Sequence, residues 1–327
     1  MSDLSRAKLF IGPMSVNIID AVIEFANETG EPLGLIPSRR QVDHDGGYTG
    51  FNTESFAKYV RAKTNRVILQ RDHGGEGQGD RPDDGIASYT ADANYFDLVH
   101  IDPWKAKKDY ASGMKATLET IQLLDRLNPK VGYEVGTEEA IHASTAQELQ
   151  QLLDDLKASL DACAFAKIKY AVIQSGTSLR ETHNTGSYDE SRLDQMVEVC
   201  KSHNLLSKEH NGDYLETSLI KSKFDQGLDA INIAPEFGKI ETETACELMG
   251  NKGADYETFF NLCLECPRWK KWVGSTFDPH ASKDELIRIC GHYVFNEPRF
   301  KEMKKRLLGF DAEAKKRIKN RIREIVQ

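Results

Sequence analysis

The sequence predicts a (β/α)8 barrel with a C-terminal helical extension, and three observations lead there. Eight short apolar runs begin near residues 8, 32, 66, 96, 131, 168, 205 and 230, a spacing of roughly thirty residues. Each is followed by a helix or a helix-sized segment, the alternation that a closed parallel sheet needs. Several runs end in His, Asp, Glu or Gln, so polar side chains gather at the C-terminal strand ends, the end of a barrel that carries chemistry. A doubly wound sheet is the competing architecture. It is disfavoured because no Gly-x-Gly-x-x-Gly joins a strand to a helix, and Gly75-Glu-Gly77-Gln-Gly79 lies in a loop.

Lys8 to Ser15 reads as the first strand and its turn, and Val16 to Asn27 carries helical periodicity. Pro32 to Gln41 is the second strand, followed by a loop with Gly46-Gly-Tyr-Thr-Gly50 and a helix from Thr53 to Lys63. Arg66 to Gln70 runs as a strand into Arg71-Asp72-His73-Gly-Gly. The Gly-rich, acidic stretch from Gly74 to Gly85 is too polar to bury and reads as a long loop. Phe96 to Asp102 is a strand and Met114 to Leu127 a helix; Val131 to Glu138 is the next strand. Ser144 or Thr145 with Gln147 or Glu148 forms a capping box, ahead of the stripe Leu149, Leu152, Leu153, Leu156 and Leu160. Ile168 to Gln174 is a strand, with a long loop to Tyr188 and a helix from Asp189 to Ser202 behind it. Leu205 to His210 and Ala230 to Ala234 complete the set.

The barrel is assigned to residues 1–250 and the extension to 251–327, where the chain turns helical and mixed in charge. The extension is expected to pack on the barrel or on a partner subunit. Its last helix is dense in Lys and Arg with Ile318, Ile322 and Ile325 on one side, which reads as a solvated basic face over an apolar stripe. A net charge of −8 disfavours a nucleic-acid partner. No apolar run reaches transmembrane length and the N-terminus lacks the apolar core of a signal peptide, so a cytoplasmic protein is expected. Six cysteines at irregular spacing point to free thiols. Cys263-Leu-Glu-Cys266 has metal-knuckle spacing but no second Cys-x-x-Cys, and both residues fit one helix face.

The strand ends carry Ser15, Gln41, Asp72 and His73, His100 and Asp102, Glu134 and Glu138, Gln174, Lys208 with Glu209 and His210, and Asn232. Histidines and carboxylates converging on one mouth suit a divalent metal with an acid or base beside it. A lone strand-end His is ordinarily just hydrogen-bonded, so the convergence carries the reading. His44, His142, His203, His280 and His292 fall away from the mouth, whereas His183, in the loop after the sixth strand, could reach it.

At these residues the chain resembles the class II aldolase superfamily, and within it the tagatose-bisphosphate aldolase Z-subunit family, from about residue 8 to the C-terminus. Gln41-Val42 with Gly46-Gly-Tyr-Thr-Gly50 is similar to that family's Gln-Val…Gly-Gly-Tyr-Thr-Gly. Asp72-His73, Val99-His-Ile-Asp102, Val135-Gly-Thr-Glu138 and His210-Asn-Gly-Asp213-Tyr214 are similar to its Asp-His, Ile-His-Leu-Asp, Ile-Gly-Thr-Glu and His-Ser-Thr-Asp-Tyr segments. The resemblance implies a barrel, Zn2+ or another divalent metal, and a phosphorylated ketose cleaved by retro-aldol chemistry or epimerised at C4 by the same route. It implies Asp72 as the acid/base and His73 and His210 as metal ligands. Glu134-Val-Gly136 is similar to the Glu-Leu-Gly of the catalytic enzymes, which makes Glu134 the third ligand, with His183 the alternative.

Ser15, Gln41, Arg71, Asp102, Glu138, Gln174, Lys208 and Asn232 are then the substrate-binding candidates. Arg71 and Lys208 replace a Gly and a Glu of the family pattern, and Arg180 lies in a longer loop; the three read as cations for an anionic substrate, or as local partners of Asp72 and Glu209. The family also contains non-catalytic subunits that stabilise a separate aldolase. A homo-oligomer, or a complex with a class II aldolase catalytic subunit, is the expected assembly.

Overall fold

A computed structural model describes residues 7–107, 109–137, 145–250 and 252–327. The barrel strands are β1 (Leu9–Ile11), β2 (Leu33–Leu35), β3 (Val67–Gly74), β4 (Leu98–Ile101), β5 (Gly132–Val135), β6 (Ile168–Ile173), β9 (Leu206–Glu209) and β10 (Ala230–Ile233). They close in sequence order, and every pairing is parallel. The last strand meets the first in the register Leu9 to Ile231. β7 (Leu179–Arg180) and β8 (His183–Asn184) form a small antiparallel hairpin in the loop after β6.

The helices between the strands are α1 (Val16–Thr29), α2 (Thr53–Arg61), α3 (Ile86–Tyr95), α4 (Tyr110–Leu127), α5 (Ala146–Ser159), the short α6 (Ala162–Phe165), α7 (Glu190–Ser202), α8 (Thr217–Asp225) and α9 (Pro235–Met249). Local chemistry sets their ends. Ser15 caps α1 by accepting from the Ile18 N–H, and Gly30 ends it in the left-handed region at φ 78°. Thr145 and Glu148 make the expected reciprocal capping box on α5. α3 follows directly on the Gly-rich loop, where the sequence pattern marks no helix.

Two layers of apolar side chains line the wall. Leu9, Ile11, Leu33, Leu35, Val67, Leu69, Val99 and Ile101 face the helix ring, while Phe10, Ile36, Ile68, Leu98, Tyr170 and Ala230 fill the barrel floor. Gly34 is needed beside that floor, since a Cβ there would lie 2.0 Å from the Phe10 ring.

The extension contains α10 (Ala254–Glu265), α11 (Lys283–Val294), α12 (Pro298–Lys304) and α13 (Phe310–Val326). Phe259, Phe260, Trp269, Ile287, Phe300 and Phe310 form a separate core for it. α13 returns to the barrel, with Ile318, Ile322 and Ile325 buried in the barrel's own core cluster. Its basic face is matched by acids: Lys315 meets Glu24, Lys319 meets Glu28, and Arg321 meets Glu236. The expected solvated basic face is thus in part a docking face for α1 and α9. Among the described residues, no helix is long and apolar enough to cross a membrane.

Candidate metal centre and active-site cleft

The site is built where β3 breaks its pairing with β4. The register slips between Arg71 and Gly74, and His73 adopts φ 45°, a left-handed conformation unusual for a residue with a side chain. The irregularity turns Asp72 and His73 toward the barrel axis together. His100 on β4 and His210 just past β9 meet them there, with the three imidazole centroids 4.9–5.1 Å apart. One potential ligand atom from each of Asp72, His73, His100 and His210 lies within 4.8 Å of all the others.

The hydrogen bonds around this cluster fix how each ring is held. The Nδ1 of His73 lies 2.7 Å from Asp102 Oδ2, the Nε2 of His100 lies 2.9 Å from the Gly136 carbonyl, and the Nε2 of His210 lies 2.6 Å from Glu134 Oε1. Each of these ring nitrogens faces an acceptor, so each is assigned the N–H, and the opposite nitrogen carries the lone pair. Those opposite nitrogens point inward: His73 Nε2 and His210 Nδ1 are 3.4 Å apart, and the His100 Nδ1 accepts from the His73 backbone N–H at 3.3 Å. Asp72 Oδ1 lies 3.7 Å from His210 Nδ1 and 3.9 Å from His73 Nε2, and Asn232 reaches it at 3.4 Å. Imidazoles whose outer nitrogens are tied to carboxylates and a carbonyl, leaving the inner ones convergent, form a donor set that fits a divalent metal. Burial pulls the His100 pKa down, which favours the neutral ring; its inward Nδ1 meets the His73 N–H only at 3.3 Å, a long contact that a metal would replace.

Beneath the histidines lies a polar layer. Glu134 Oε2 accepts from Lys208 Nζ at 2.9 Å and from Gln70 Nε2 at 2.8 Å, and Lys208 also donates to Gln70 Oε1. The ammonium sits 3.5 Å from the Phe10 ring centroid. Burial alone would raise the Glu134 pKa, but Lys208 and His210 hold its carboxyl well below the usual carboxylate range. Burial pulls the Lys208 pKa down, opposed by Glu134.

Several expectations change at this point. Glu134 has both oxygens engaged, by His210 and by Lys208 with Gln70, and it is His100 that joins Asp72, His73 and His210 in the cluster. His183 lies exposed on the β7–β8 hairpin, outside the cluster. Lys208 is wholly buried below the histidines, where it pairs with Glu134. Arg71 faces the helix layer, where its guanidinium binds both oxygens of Asp92 at 2.6 and 2.8 Å and the carbonyls of Pro37 and Val42. Ser15 is bound to Glu241 in a separate cavity of about 100 Å³ between barrel and extension. Gln174 donates to the Thr137 carbonyl. Asp102 is buried behind His73, so it orients that ring. Arg180 is exposed on the hairpin. Glu138 and His142 fall outside the described residues. Gln41 and Asn232 do line the cleft above the cluster, a space of about 390 Å³ shared with Tyr48, Asp72, His73, His210, Trp272 and Tyr293.

His100 is the functional candidate that the sequence reading left out of the ligand set. Its signal was present: it stands opposite Glu134 in the β4–β5 register, two positions before Asp102. Gln70 and Gln78 were also missed; Gln78 donates to Asp102 Oδ2 at 3.0 Å. No Cys-based metal group occurs among the described residues.

The closed parallel sheet with its polar mouth defines the class: a (β/α)8 barrel with a helical extension. No family model matches the sequence, and no curated protein matches it. Solved structures do. A probable tagatose 6-phosphate kinase from Sinorhizobium meliloti superposes with a TM-score of 0.82 at 17% identity, covering 98% of this chain and 99% of that one. The fructuronate-tagaturonate epimerase UxaE from Cohnella laeviribosi gives 0.65 at 12% identity, covering 98% and 81%. The fructose-bisphosphate aldolase of Campylobacter jejuni gives 0.57 at 15% identity, covering 98% and 90%. At these identities the likeness establishes the fold, which this chain shares with sugar aldolases and a sugar epimerase.

Proposed function

We propose that the chain is a metal-dependent enzyme that makes and breaks a carbon–carbon bond in a phosphorylated ketose, as an aldolase or as an epimerase working through cleavage and re-addition. One observation carries this reading: three imidazoles converge on a carboxylate at the barrel mouth, each with its outer nitrogen tied to an acceptor. His73, His100 and His210 would hold the ion, and nitrogen donors of this kind suit Zn2+. Such an ion supplies Lewis acidity toward a carbonyl oxygen when bound.

The chain's own groups do the rest. Asp72, held by Asn232, takes the proton from the hydroxyl beside the breaking bond and returns it when the bond re-forms. Re-addition to the opposite face of the aldehyde inverts the centre, so cleavage and epimerisation use one set of residues. Asp102 and Glu134 orient His73 and His210. Tyr48, Trp272 and Tyr293 wall the cleft and restrict water around the reacting carbons. The barrel likeness to aldolases and an epimerase supports the reading, as does the strained backbone at His73.

The test combines elemental analysis for metal with a panel of ketose phosphates, followed for cleavage and for epimerisation. Asp72→Asn is expected to lower turnover by about 10²- to 10⁴-fold while metal content is retained. His210→Ala is expected to lose both. Unchanged turnover in the two variants sinks the mechanism. A metal-free, inert chain that raises the melting temperature of a co-purified aldolase would instead make it a stabilising subunit.

A further inference from the structure

Barrels of this class commonly seat a substrate phosphate after the seventh and eighth strands, on the N-terminus of a helix. Here that seat is filled by the chain itself. The Asp213 carboxyl, 1% exposed, accepts the backbone N–H of Ala234 at 2.9 Å and of Glu236 at 2.7 Å, where α9 begins. Pro235, between them, has no N–H to offer. Glu236 adds a second carboxyl at the same helix start, accepting from the Tyr214 N–H at 2.6 Å and pairing with Arg321 at 2.5 Å. An incoming anion there would have to displace one carboxyl and lie against the other.

Cations line the same cleft elsewhere. In the closed strand order β4 lies across the barrel from β10. Lys105, just after β4, and Arg40, just after β2, both face the cleft, and Lys271 reaches it from the extension. The polar contacts of Arg40 and Lys105 are long enough to exchange for an anion. Arg40 Nε is 3.6 Å from Asp80 Oδ1, Lys105 Nζ is 3.4 Å from Gln78 Oε1, and the Lys271 ammonium lies 4.2 Å from the Trp272 ring centroid. Asp72 lines the same space, so an anionic tail held by these three side chains leaves the sugar carbons next to it.

We propose that Arg40, Lys105 and Lys271 form the anion seat of the cleft, holding the phosphate or carboxylate tail of the substrate. The inference rests on the aldol-type reading above and gives the extension a direct role in specificity. An exposed ammonium takes either anion, so the shared chemistry is a mobile anionic tail, and two probes separate the sources.

The zinc-loaded full chain is titrated with inorganic phosphate and, separately, with glycolate, by calorimetry. Arg40→Ala, Lys105→Ala and Lys271→Ala are each expected to weaken the tighter-binding probe about tenfold. Lys239→Ala, on α9 beside Tyr214, is expected to leave that affinity unchanged. Tighter phosphate binding with these losses assigns a phosphorylated substrate; tighter glycolate binding with the same losses assigns a sugar acid. Wild-type affinity in the three cleft variants, a loss in Lys239→Ala, or binding of neither probe overturns the seat. Metal content and the turnover of Asp72→Asn are read separately, so the seat can fail while the chemistry stands, and the chemistry can fail while anions still bind.

Discussion

Arg71 and Lys208 are both wholly buried cations on barrel strands, and they stand on opposite sides of the barrel wall. Arg71 points out into the helix layer, where Asp92 of α3 and two loop carbonyls take its guanidinium. Lys208 points in, where Glu134 and Gln70 take its ammonium directly beneath the histidine cluster. Side chains alternate across a strand, so parity alone decides whether a buried charge braces the scaffold or braces the site. The Arg71 pair ties the strand that carries Asp72 and His73 to the helix behind it. The Lys208 pair holds Glu134 ionised and in place, and Glu134 holds His210.

The largest effects should come from breaking each pair. Arg71→Leu and Lys208→Leu each strand a buried carboxylate, and each is expected to lower stability by about 3–5 kcal/mol in denaturant unfolding. Only Lys208→Leu should also weaken metal binding, because only Glu134 reaches a histidine of the cluster. Pairing Arg71→Leu with Asp92→Leu should recover much of the lost stability, since no buried charge is left alone. Equal losses of metal affinity in the two single variants would erase the distinction between the inner and outer faces.

Glu241 sharpens the comparison from the other side, as a buried acid met by a hydroxyl and an amide, from Ser15 and Asn17. Burial pushes its pKa up to about 7 from the ordinary 4.5. The folded state therefore holds a proton that the unfolded state releases between pH 4.5 and 7. The stability tied to this group is complete below pH 4.5 and falls as pH rises through 7. A shift of that size corresponds to roughly 3 kcal/mol. Glu241→Gln should flatten that part of the stability–pH profile, as measured by melting temperature across the range. A profile that keeps the wild-type fall would place the titration elsewhere.

The same contrast explains what the sequence could reveal. The barrel was legible because each strand is an apolar run at a repeated spacing, and all eight predicted strands are present. α3 was not legible, because its buried face includes Ser88 and Asp92, and Asp92 is there to meet Arg71. Asp72 and His73 stood out as titratable groups at the end of an apolar strand. Strand parity puts Arg71 in phase with the outward Val67 and Leu69, but the partners that give Arg71 and Lys208 their roles, Asp92 and Glu134, lie far from them in the chain. The register slip after Arg71 breaks the alternation only at His73, which the count would turn outward. The choice between Glu134 and His100 was equally hidden. The two are paired across β4 and β5 and both face into the barrel; what occupies the Glu134 carboxylate is Lys208, more than seventy positions away in the chain, with Gln70 and His210.

The smallest effect separates holding a ligand from being one. Asp102 Oδ2 accepts from His73 Nδ1 and from Gln78, while its Oδ1 is buried with no hydrogen-bond partner among the described residues. An Asn at this position can keep its carbonyl oxygen where Oδ2 lies and place its amide in the Oδ1 pocket. Asp102→Asn therefore removes charge and leaves the hydrogen bond that orients the ring. Metal affinity is expected to fall about 10- to 100-fold, as when a partner behind a ligating histidine is lost. An amide placed the other way round would present N–H to His73, force the proton onto the inward nitrogen and block the metal, a larger loss. Competition titration with a zinc chelator distinguishes these cases. Wild-type affinity would mean that the His73 ring is not held by this carboxylate, and the left-handed backbone at His73 would then have to orient it alone.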